Sequence, residues 1–206
     1  MISNILFLLI AVVSSCASAT RMEEKPVVVG PGSVIWSSTF STGVKWYALD
    51  DGVMGGKSKT NLPPGSKFDG NWTGVVSTAN NGGFAGIRTE LFSPAKNASS
   101  CSGYSITLTG DGQRYKFVTH DTAAWDGIAW SAPFNTTAGV QIVIRVPFGE
   151  LVPTNRASTV RLSRPFNTQH ICDVQLTLSK FEYDGVLNPS FQPGPFQLML
   201  NQISFY

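Results

Sequence analysis

The 206-residue sequence has little charge and few of the residues that catalysis and nucleic-acid binding require. Charged residues make up 14% of the chain, the net charge is +2, and no basic run occurs. These features argue against nucleic acid or an anionic membrane as the main partner. There are two histidines and three cysteines, and no G-x-S-x-G, H-E-x-x-H or phosphate-loop motif. The sequence therefore argues against an enzyme, and it indicates no catalytic residue and no bound cofactor.

Helical periodicity is also missing, because no segment carries an apolar stripe at i, i+3, i+4 and i+7 over three turns. Instead, apolar and polar residues alternate in several short segments, which is typical of half-buried strands. The 20 glycines and 12 prolines are scattered between these segments. The pattern predicts an all-β protein, an antiparallel sandwich or barrel. The clearest alternation lies in residues 104–109, 140–146, 174–179 and 196–203.

The N-terminus contains an apolar run, residues 5–13, followed by Ala17-Ser18-Ala19. The run is too short to span a bilayer, and the small residues fit a signal-peptidase site. We predict a secretory signal peptide at residues 1–19, an extended leader at 20–34 and one β domain at 35–206, with no transmembrane span. The protein would be secreted or endomembrane. In a bacterial source, Val13-Ser14-Ser15-Cys16 would instead place a lipid on Cys16.

Cysteines and glycosylation motifs agree with an oxidising compartment. Removal of the signal peptide leaves Cys101 and Cys172, which would form one disulfide or remain two buried thiols. Three N-x-S/T motifs begin at Asn71, Asn97 and Asn135. Asn97 and Asn135 are the better acceptors because their surroundings are turn-like.

The glycine-rich loop at residues 49–58 stands out in the chain. It reads Leu49-Asp50-Asp51-Gly52-Val53-Met54-Gly55-Gly56-Lys57-Ser58. Glycine suits sharp turns and close backbone approach, and Asp beside Gly favours an ordinary β-turn. The apolar pair Val53-Met54 favours instead an ordered loop with this pair tucked against the fold.

Several motifs, in order along the chain, resemble the complex I intermediate-associated protein 30 family. The resemblance covers roughly residues 35–206. The motifs are Trp46 with the 50–58 loop, Phe68 and Gly70, Asn81-Gly82-Gly83-Phe84-Ala85-Gly86-Ile87-Arg88, Gly110-Asp111-Gly112-Gln113-Arg114-Tyr115-Lys116-Phe117, Val146-Pro147-Phe148 with Pro153, and Gly194-Pro195-Phe196-Gln197-Leu198 with Ile203.

The resemblance implies a galactose-binding-like jelly-roll β-sandwich without catalytic residues. It also implies a chaperone role, which in the mitochondrial member assists assembly of NADH:ubiquinone oxidoreductase (complex I). The secretory leader favours a protein client in the secretory pathway over a mitochondrial location. The 50–58 loop becomes a family signature with the role of a structural clasp. Its signature residues are Asp50, Asp51, Gly52, Met54, Gly55, Gly56 and Ser58.

Three further sets of polar residues could serve catalysis or metal binding. His120-Asp121 could serve a metal or a base, but a surface histidine beside a turn aspartate is the simpler interpretation. His170 and Cys172 would share a strand face and could form a nucleophile pair, unless a disulfide removes the thiol. Asp-Gly pairs indicate turns. They could also supply oxygens to a structural calcium ion, for which no site is assigned.

A second function is suggested by Trp125, Asp126 and Trp130, which form an aromatic, turn-rich stretch. If exposed, these residues could face a ligand and stack on a sugar, as in a secreted carbohydrate-binding module of jelly-roll type. The alternative is that both tryptophans pack in the core. The sequence names neither the client nor the glycan, and it does not predict the oligomeric state.

Overall fold

The computed structural model describes residues 24–124 and 126–206. The predicted signal peptide and Trp125 lie outside these ranges. The strands are β1 (Val27–Val28), β2 (Val34–Ser37), β3 (Trp46–Ala48), β4 (Lys59–Thr60), β5 (Asn71–Val76), β6 (Phe84–Thr89), β7 (Lys96–Asn97), β8 (Gly103–Thr109), β9 (Arg114–His120), β10 (Ala129–Asn135), β11 (Gln141–Pro147), β12 (Val152–Asn155), β13 (Ser158–Thr159), β14 (Asp173–Ser179) and β15 (Gly194–Phe205). Single 3₁₀ turns occur at Asp51–Met54, Ala79–Asn81 and Phe148–Glu150.

Two antiparallel sheets form a sandwich, which confirms the all-β prediction. The seven-stranded sheet has the order β13-β12-β10-β9-β14-β6-β3. The six-stranded sheet has the order β11-β8-β15-β5-β4, with β2 also paired to β15. In the leader, β1 pairs in parallel with β7. No helix in residues 24–124 and 126–206 is long and apolar enough to cross a membrane.

The core lies between the two sheets and follows the alternation in the sequence. On β14, Val174, Leu176 and Leu178 are fully buried, because side chains two residues apart share a face. Aromatic rings fill much of the space: Trp72 lies 5.7 Å from Tyr115 and 5.1 Å from Phe196 between ring centroids. Such aromatic pairs add to the stabilisation from area burial.

The strand directions place the connections at two ends of the sandwich. One end, which we call the signature end, carries the 50–58 loop after β3, the Ala79–Asn81 turn before β6 and the segment after β14. The opposite end carries the connection between β2 and β3 and the 63–69 segment before β5. Both ends are positioned by the same rigid strands, so each can present a defined surface.

Candidate functional site

The 50–58 loop is held at the signature end by the carboxylate of Asp51, which is fully buried. Its Oδ1 accepts a hydrogen bond from the Ser58 N–H at 2.9 Å, and its Oδ2 accepts one from the Ser58 hydroxyl at 2.7 Å. Oδ2 also accepts bonds from the N–H groups of Gly83 at 2.7 Å and Phe84 at 3.2 Å. Asp51 therefore closes its own loop and ties it to the start of β6.

These bonds fix the charge state of Asp51. Burial opposes ionisation, but the hydrogen bonds from Gly83, Ser58 and Phe84 outweigh it and lower the pKa of Asp51 below its usual 3.8. The neighbouring Asp50 is used in the same way, because its carboxylate accepts bonds from the Thr60 N–H at 2.8 Å and the Thr60 hydroxyl at 2.7 Å. Both acids of the signature are thus engaged in hydrogen bonds that hold the loop.

Glycine is required at two positions of this loop for different reasons. Gly55 has φ +85°, a left-handed conformation that side chains strain. Gly56 lies against Asp51, and a Cβ at this position would overlap the Asp51 carboxylate. The glycines therefore let the backbone wrap closely around a buried acid.

The prediction that Val53 and Met54 are tucked against the fold is wrong. Val53 is 85% exposed and Met54 is 67% exposed. The interior of the loop is filled by the Asp51 carboxylate and its donors, so no space remains for the apolar pair. The loop thus turns the Asp51 carboxylate inward and its apolar side chains outward.

A second loop with exposed apolar residues is linked to the first through Gly83. After β14, Lys180 donates its N–H to the Gly83 carbonyl at 2.7 Å, so Gly83 joins both loops. The following segment folds back through a bridge between Phe181 and Leu187, with Val186 at 62% and Leu187 at 61% exposure. We call the exposed residues of the two loops the apolar rim: Val53, Met54, Phe181, Val186 and Leu187.

The second loop is fixed across the outer face of the seven-stranded sheet. Lys116 Nζ donates to the carbonyls of Phe181 at 3.0 Å and Glu182 at 2.9 Å, and Arg114 forms an ion pair with Glu182. The Tyr183 hydroxyl donates to the Ser131 carbonyl at 3.1 Å. Burial lowers the pKa of Lys116 to about 8, against the opposing effect of Glu182. The contacts of Lys116, Arg114 and Tyr183 therefore fix the second loop, and with it the part of the apolar rim that this loop carries.

A buried ionic cluster near the opposite end of this sheet was not predicted from the sequence. The Asp173 carboxylate accepts bonds from Arg88 Nε at 3.0 Å and Nη2 at 2.6 Å. Its other oxygen lies 2.7 Å from His120 Nδ1. These residues come from β6, β14 and β9, so only strand pairing brings them together. The cluster can neutralise and position its members, and it joins three strands.

His120 and Asp121 do not act as a pair, and neither is at the surface. Both side chains are buried. His120 turns to Asp173, whereas Asp121 forms an ion pair with Arg164 and accepts the Asn167 N–H at 3.0 Å. Burial raises the pKa of Asp121, but the Arg164 and Asn167 hydrogen bonds and the Arg164 charge lower it overall. The surface interpretation was wrong because the 164–167 segment covers Asp121.

The structure does not contain the disulfide considered between Cys101 and Cys172. The two thiols face different partners: Cys101 Sγ lies 3.9 Å from the Val29 carbonyl, and Cys172 Sγ lies 3.4 Å from His170 Nδ1. The alternative of two buried thiols describes Cys172, whereas Cys101 is half-buried. His170 and Cys172 do approach each other, as their spacing suggested.

The other predicted residues are scattered. Trp130 is not ligand-facing, because its ring is buried against Phe166 at 5.5 Å between centroids. Asp126 is exposed and pairs with Arg156 at 2.8 Å. Asn71 and Asn135 are exposed and Asn97 is half-buried, so glycosylation stays a prediction. In residues 24–124 and 126–206, no group of three His, Cys, Asp or Glu residues could hold a metal ion, and the calcium site stays unassigned.

Comparison with known proteins confirms the family resemblance. A family model described as complex I intermediate-associated protein 30 matches residues 37–200. No match was found among curated proteins.

Among solved structures, the chain is similar to the family 11 carbohydrate-binding module of the cellulosomal cellulase Lic26A-Cel5E of Clostridium thermocellum. The sequence identity is 14% and the TM-score is 0.52, and the match covers 83% of this chain and 92% of that one. The same values hold for the family 11 module from Clostridium thermocellum in complex with a β-1,3-1,4-mixed-linked tetrasaccharide, covering 93% of that chain. At this identity the likeness shows the fold, a galactose-binding-like jelly-roll β-sandwich.

Proposed function

This chain belongs to the complex I intermediate-associated protein 30 family, and from that premise we propose that it is a non-enzymatic protein that binds exposed apolar segments of a protein client. Its action is that of a chaperone or assembly factor. The family is a non-catalytic one, and the buried acids described above are committed to hydrogen bonds within the fold. Binding without turnover is the function that these features support.

One observation carries the proposal: the signature loop presents Val53 and Met54 to solvent on a rigid support. Exposed apolar residues grouped together are typical of protein-interaction surfaces. Because Asp51 already orders the loop, little conformational entropy is lost when a client binds. Methionine adds an adaptable contact that suits varied partners.

The charges next to the apolar rim indicate which client segments would bind. Lys57 is exposed on the same loop and Lys59 is exposed on β4, the strand that follows it, whereas Asp50 and Asp51 are turned inward. A client segment that combines apolar and acidic side chains would complement both features.

The test is capture of an unfolded reporter. A reduced, carboxymethylated protein is diluted from denaturant with the full mature chain, and its aggregation is followed by light scattering. We expect Val53→Ser/Met54→Ser to lose most of the suppression. Val143→Ser is the matched control, because Val143 is 61% exposed but lies on β11 of the other sheet. Equal suppression by both variants, or none by the wild type, would overturn the proposal.

The compartment is part of the proposal and rests on the apolar N-terminal run and the three N-x-S/T motifs. A tagged full-length chain expressed in its own cells should enter the secretory pathway and lose residues 1–19. Glycosidase treatment should then increase its mobility on a gel. Import into mitochondria would contradict the secretory location and would favour a role in complex I assembly instead.

The carbohydrate-binding alternative is weakened at the stretch that suggested it. Trp130 lies in the core and Asp126 is engaged by Arg156. We therefore do not place a sugar site there.

A further inference from the structure

The edges of the two sheets differ in length. The seven-stranded sheet ends at β13 and β3, which have two and three residues, and one edge of the six-stranded sheet is β4, which has two. The other edge is β11, which has seven residues and pairs with β8 along its whole length without a bulge. Proteins usually shorten, bend or charge their edge strands, because the unpaired backbone groups of an edge attract other strands. A long, regular edge such as β11 is therefore suited to pairing with another chain.

Alternate residues of β11 direct their backbone groups away from the sheet. The Tyr206 N–H donates to the Gly103 carbonyl, so the odd-numbered residues of β8 face β15 and its even-numbered residues bond to β11. Even-numbered residues of β11 lie opposite even-numbered residues of β8. The N–H and C=O groups of Gln141, Val143 and Arg145 therefore point outward, and in residues 24–124 and 126–206 no strand pairs with β11 on that side.

The side chains at this edge would also gain from a further strand. On the outer face of β11, Val143 is 61% exposed. On the inner face, Ile142 and Ile144 pack on the core but remain only half-buried. A strand added beside β11 would cover apolar surface on both faces, which favours association.

The sequence of residues 140–146 is nearly symmetric about its centre, and this symmetry indicates the partner. On the two sides of Val143 stand, in turn, Ile142 and Ile144, Gln141 and Arg145, and Val140 and Val146. When two identical antiparallel strands pair about a twofold axis, residues equally far from the axis lie opposite each other. With the axis at Val143, every apolar residue would meet an apolar residue, and Gln141 of each copy would face Arg145 of the other.

Backbone and charge both favour this register over its neighbours. It pairs the outward-directed residues of the two copies and gives about six hydrogen bonds between them. An axis at residue 144 would place Pro147, which has no N–H, opposite Gln141. An axis at residue 145 would place the two Arg145 charges opposite each other, which is destabilising. Of these three registers, the one centred on Val143 avoids both penalties.

We propose that two copies of this chain associate through β11, in an antiparallel pairing centred on Val143 that joins their six-stranded sheets. The same edge is used on both copies, so the assembly closes at a dimer. Pairing of one strand makes a smaller contact than a standard protein interface, so we expect a weak dimer with a Kd roughly in the micromolar range. No residue of the apolar rim takes part, so the dimer does not depend on the proposed client binding.

Sedimentation velocity of the mature chain between about 1 and 500 μM tests the association. Two variants of one exposed residue test the register, because Gln141 lies opposite the neutral Thr109 in its own sheet and opposite Arg145 only in the dimer. Gln141→Glu should tighten the dimer about fivefold and Gln141→Lys should weaken it about fivefold, as expected for two cross-strand charge pairs. In about 1 M salt the difference between these variants should largely disappear.

Cysteine cross-linking tests the position of the axis. Val143→Cys would place two thiols on facing residues about 5.5 Å apart between Cα atoms, which suits a disulfide. Oxidised glutathione, which takes up the two electrons and two protons, should then join the copies covalently. Val75→Cys is the matched control, because Val75 is 47% exposed on β5, inside the same sheet, and this variant should stay monomeric on a non-reducing gel.

Four results would overturn the proposal. They are a wild type that stays monomeric throughout the concentration range, a mass that rises beyond the dimer, equal Kd values for the two Gln141 variants, and cross-linking of Val75→Cys as readily as Val143→Cys. All the substituted side chains are exposed, so the thermal unfolding midpoints should be kept. Suppression of aggregation by Gln141→Lys should equal that of the wild type, which separates the dimer contact from the client-binding surface.

Discussion

The carboxylate of Asp51 accepts the backbone N–H of Gly83 at 2.7 Å, although the two residues are 32 positions apart. This bond joins the signature loop to the start of β6. Gly83 in turn accepts the N–H of Lys180. The motif around Asp51 and the motif around Gly83 are thus hydrogen-bonded to each other, and together they anchor the two loops that carry the apolar rim.

Replacement of Asp51 should lower the stability of the folded protein. Asp51→Asn removes the charge and replaces one acceptor oxygen by an amide donor, so several of its four hydrogen bonds are lost or reversed. We expect about 3 kcal/mol of lost stability, since buried groups left unsatisfied carry their full desolvation penalty. Denaturant unfolding measures this value. The control Asp126→Asn alters an exposed pair and should change stability by less than about 1 kcal/mol.

The same carboxylate gives a defined acid dependence. The folded pKa of Asp51 is below its usual 3.8, so the folded state binds fewer protons than the unfolded state as the pH falls. The stability due to ionised Asp51 is complete above about pH 5, begins to be lost as the pH falls through 3.8, and is fully lost only below the lower folded pKa. The stability difference between wild type and Asp51→Asn should therefore shrink in acid. If the stability difference between wild type and Asp51→Asn stays constant between about pH 6 and pH 3, the predicted acid dependence is wrong.

The loop glycines differ in their tolerance of a side chain. Gly56→Ala places Cβ against the Asp51 carboxylate, and we expect a loss of about 3 kcal/mol as the joint is forced open. Gly52→Ala is the matched control in the same loop, because Gly52 has open space around it and no left-handed φ. It should be neutral or slightly stabilising. Thermal unfolding of both variants shows whether close packing of residue 56 on Asp51 is the cause of the lost stability in Gly56→Ala.

The ionic cluster should depend on all of its members. Asp173→Asn leaves the Arg88 guanidinium buried without its counter-charge, and breaking a buried pair in this way costs about 3–5 kcal/mol. Glu90→Gln removes the partner of Lys45 in an exposed pair and should cost less than about 1 kcal/mol. If equilibrium unfolding gives similar small losses for both, the cluster contributes little.

Lys116 should produce a rise in stability in mild alkali. Burial lowers its folded pKa to about 8 from 10.5, so between these values the unfolded state binds more protons. Stability then increases with pH. Denaturant unfolding between about pH 7.5 and 9.5 should show this rise in the wild type and lose it in Lys116→Met. Lys59→Met changes an exposed lysine and should keep the rise.

Much of the fold could be predicted because it is encoded by local alternation. The inner positions of β14, and of β15 as far as Leu200, are apolar at every second residue, as strand geometry requires. A register shift between Leu200 and Gln202 then moves the inner row of β15 to Ile203 and Phe205. The family motifs then supplied the jelly-roll class. The glycine-rich loop was predicted to be a structural clasp, but the prediction gave the pinning role to Val53 and Met54, whereas the hydrogen bonds that hold the loop are made by Asp51.

The remaining features depend on long-range contacts that have no local signal. Arg88 and Asp173 are 85 residues apart, and each looks like an ordinary polar residue at the edge of a strand. The exposure of Val53 and Met54 has no local signal, because apolar residues in a glycine-rich loop ordinarily face inward. Only the observed contacts show that the inner side of the loop belongs to Asp51.

Strand β15 carries a consequence for the order of folding. It lies between β8 and β5 in the six-stranded sheet and also pairs with β2, although these partners precede it by many residues. Until residues 194–205 have been synthesised, β5 and β8 each lack a neighbour and expose unpaired backbone groups. We therefore expect the six-stranded sheet to be completed only once β15 is available, and the sandwich to fold slowly, as is typical of topologies rich in non-local pairings.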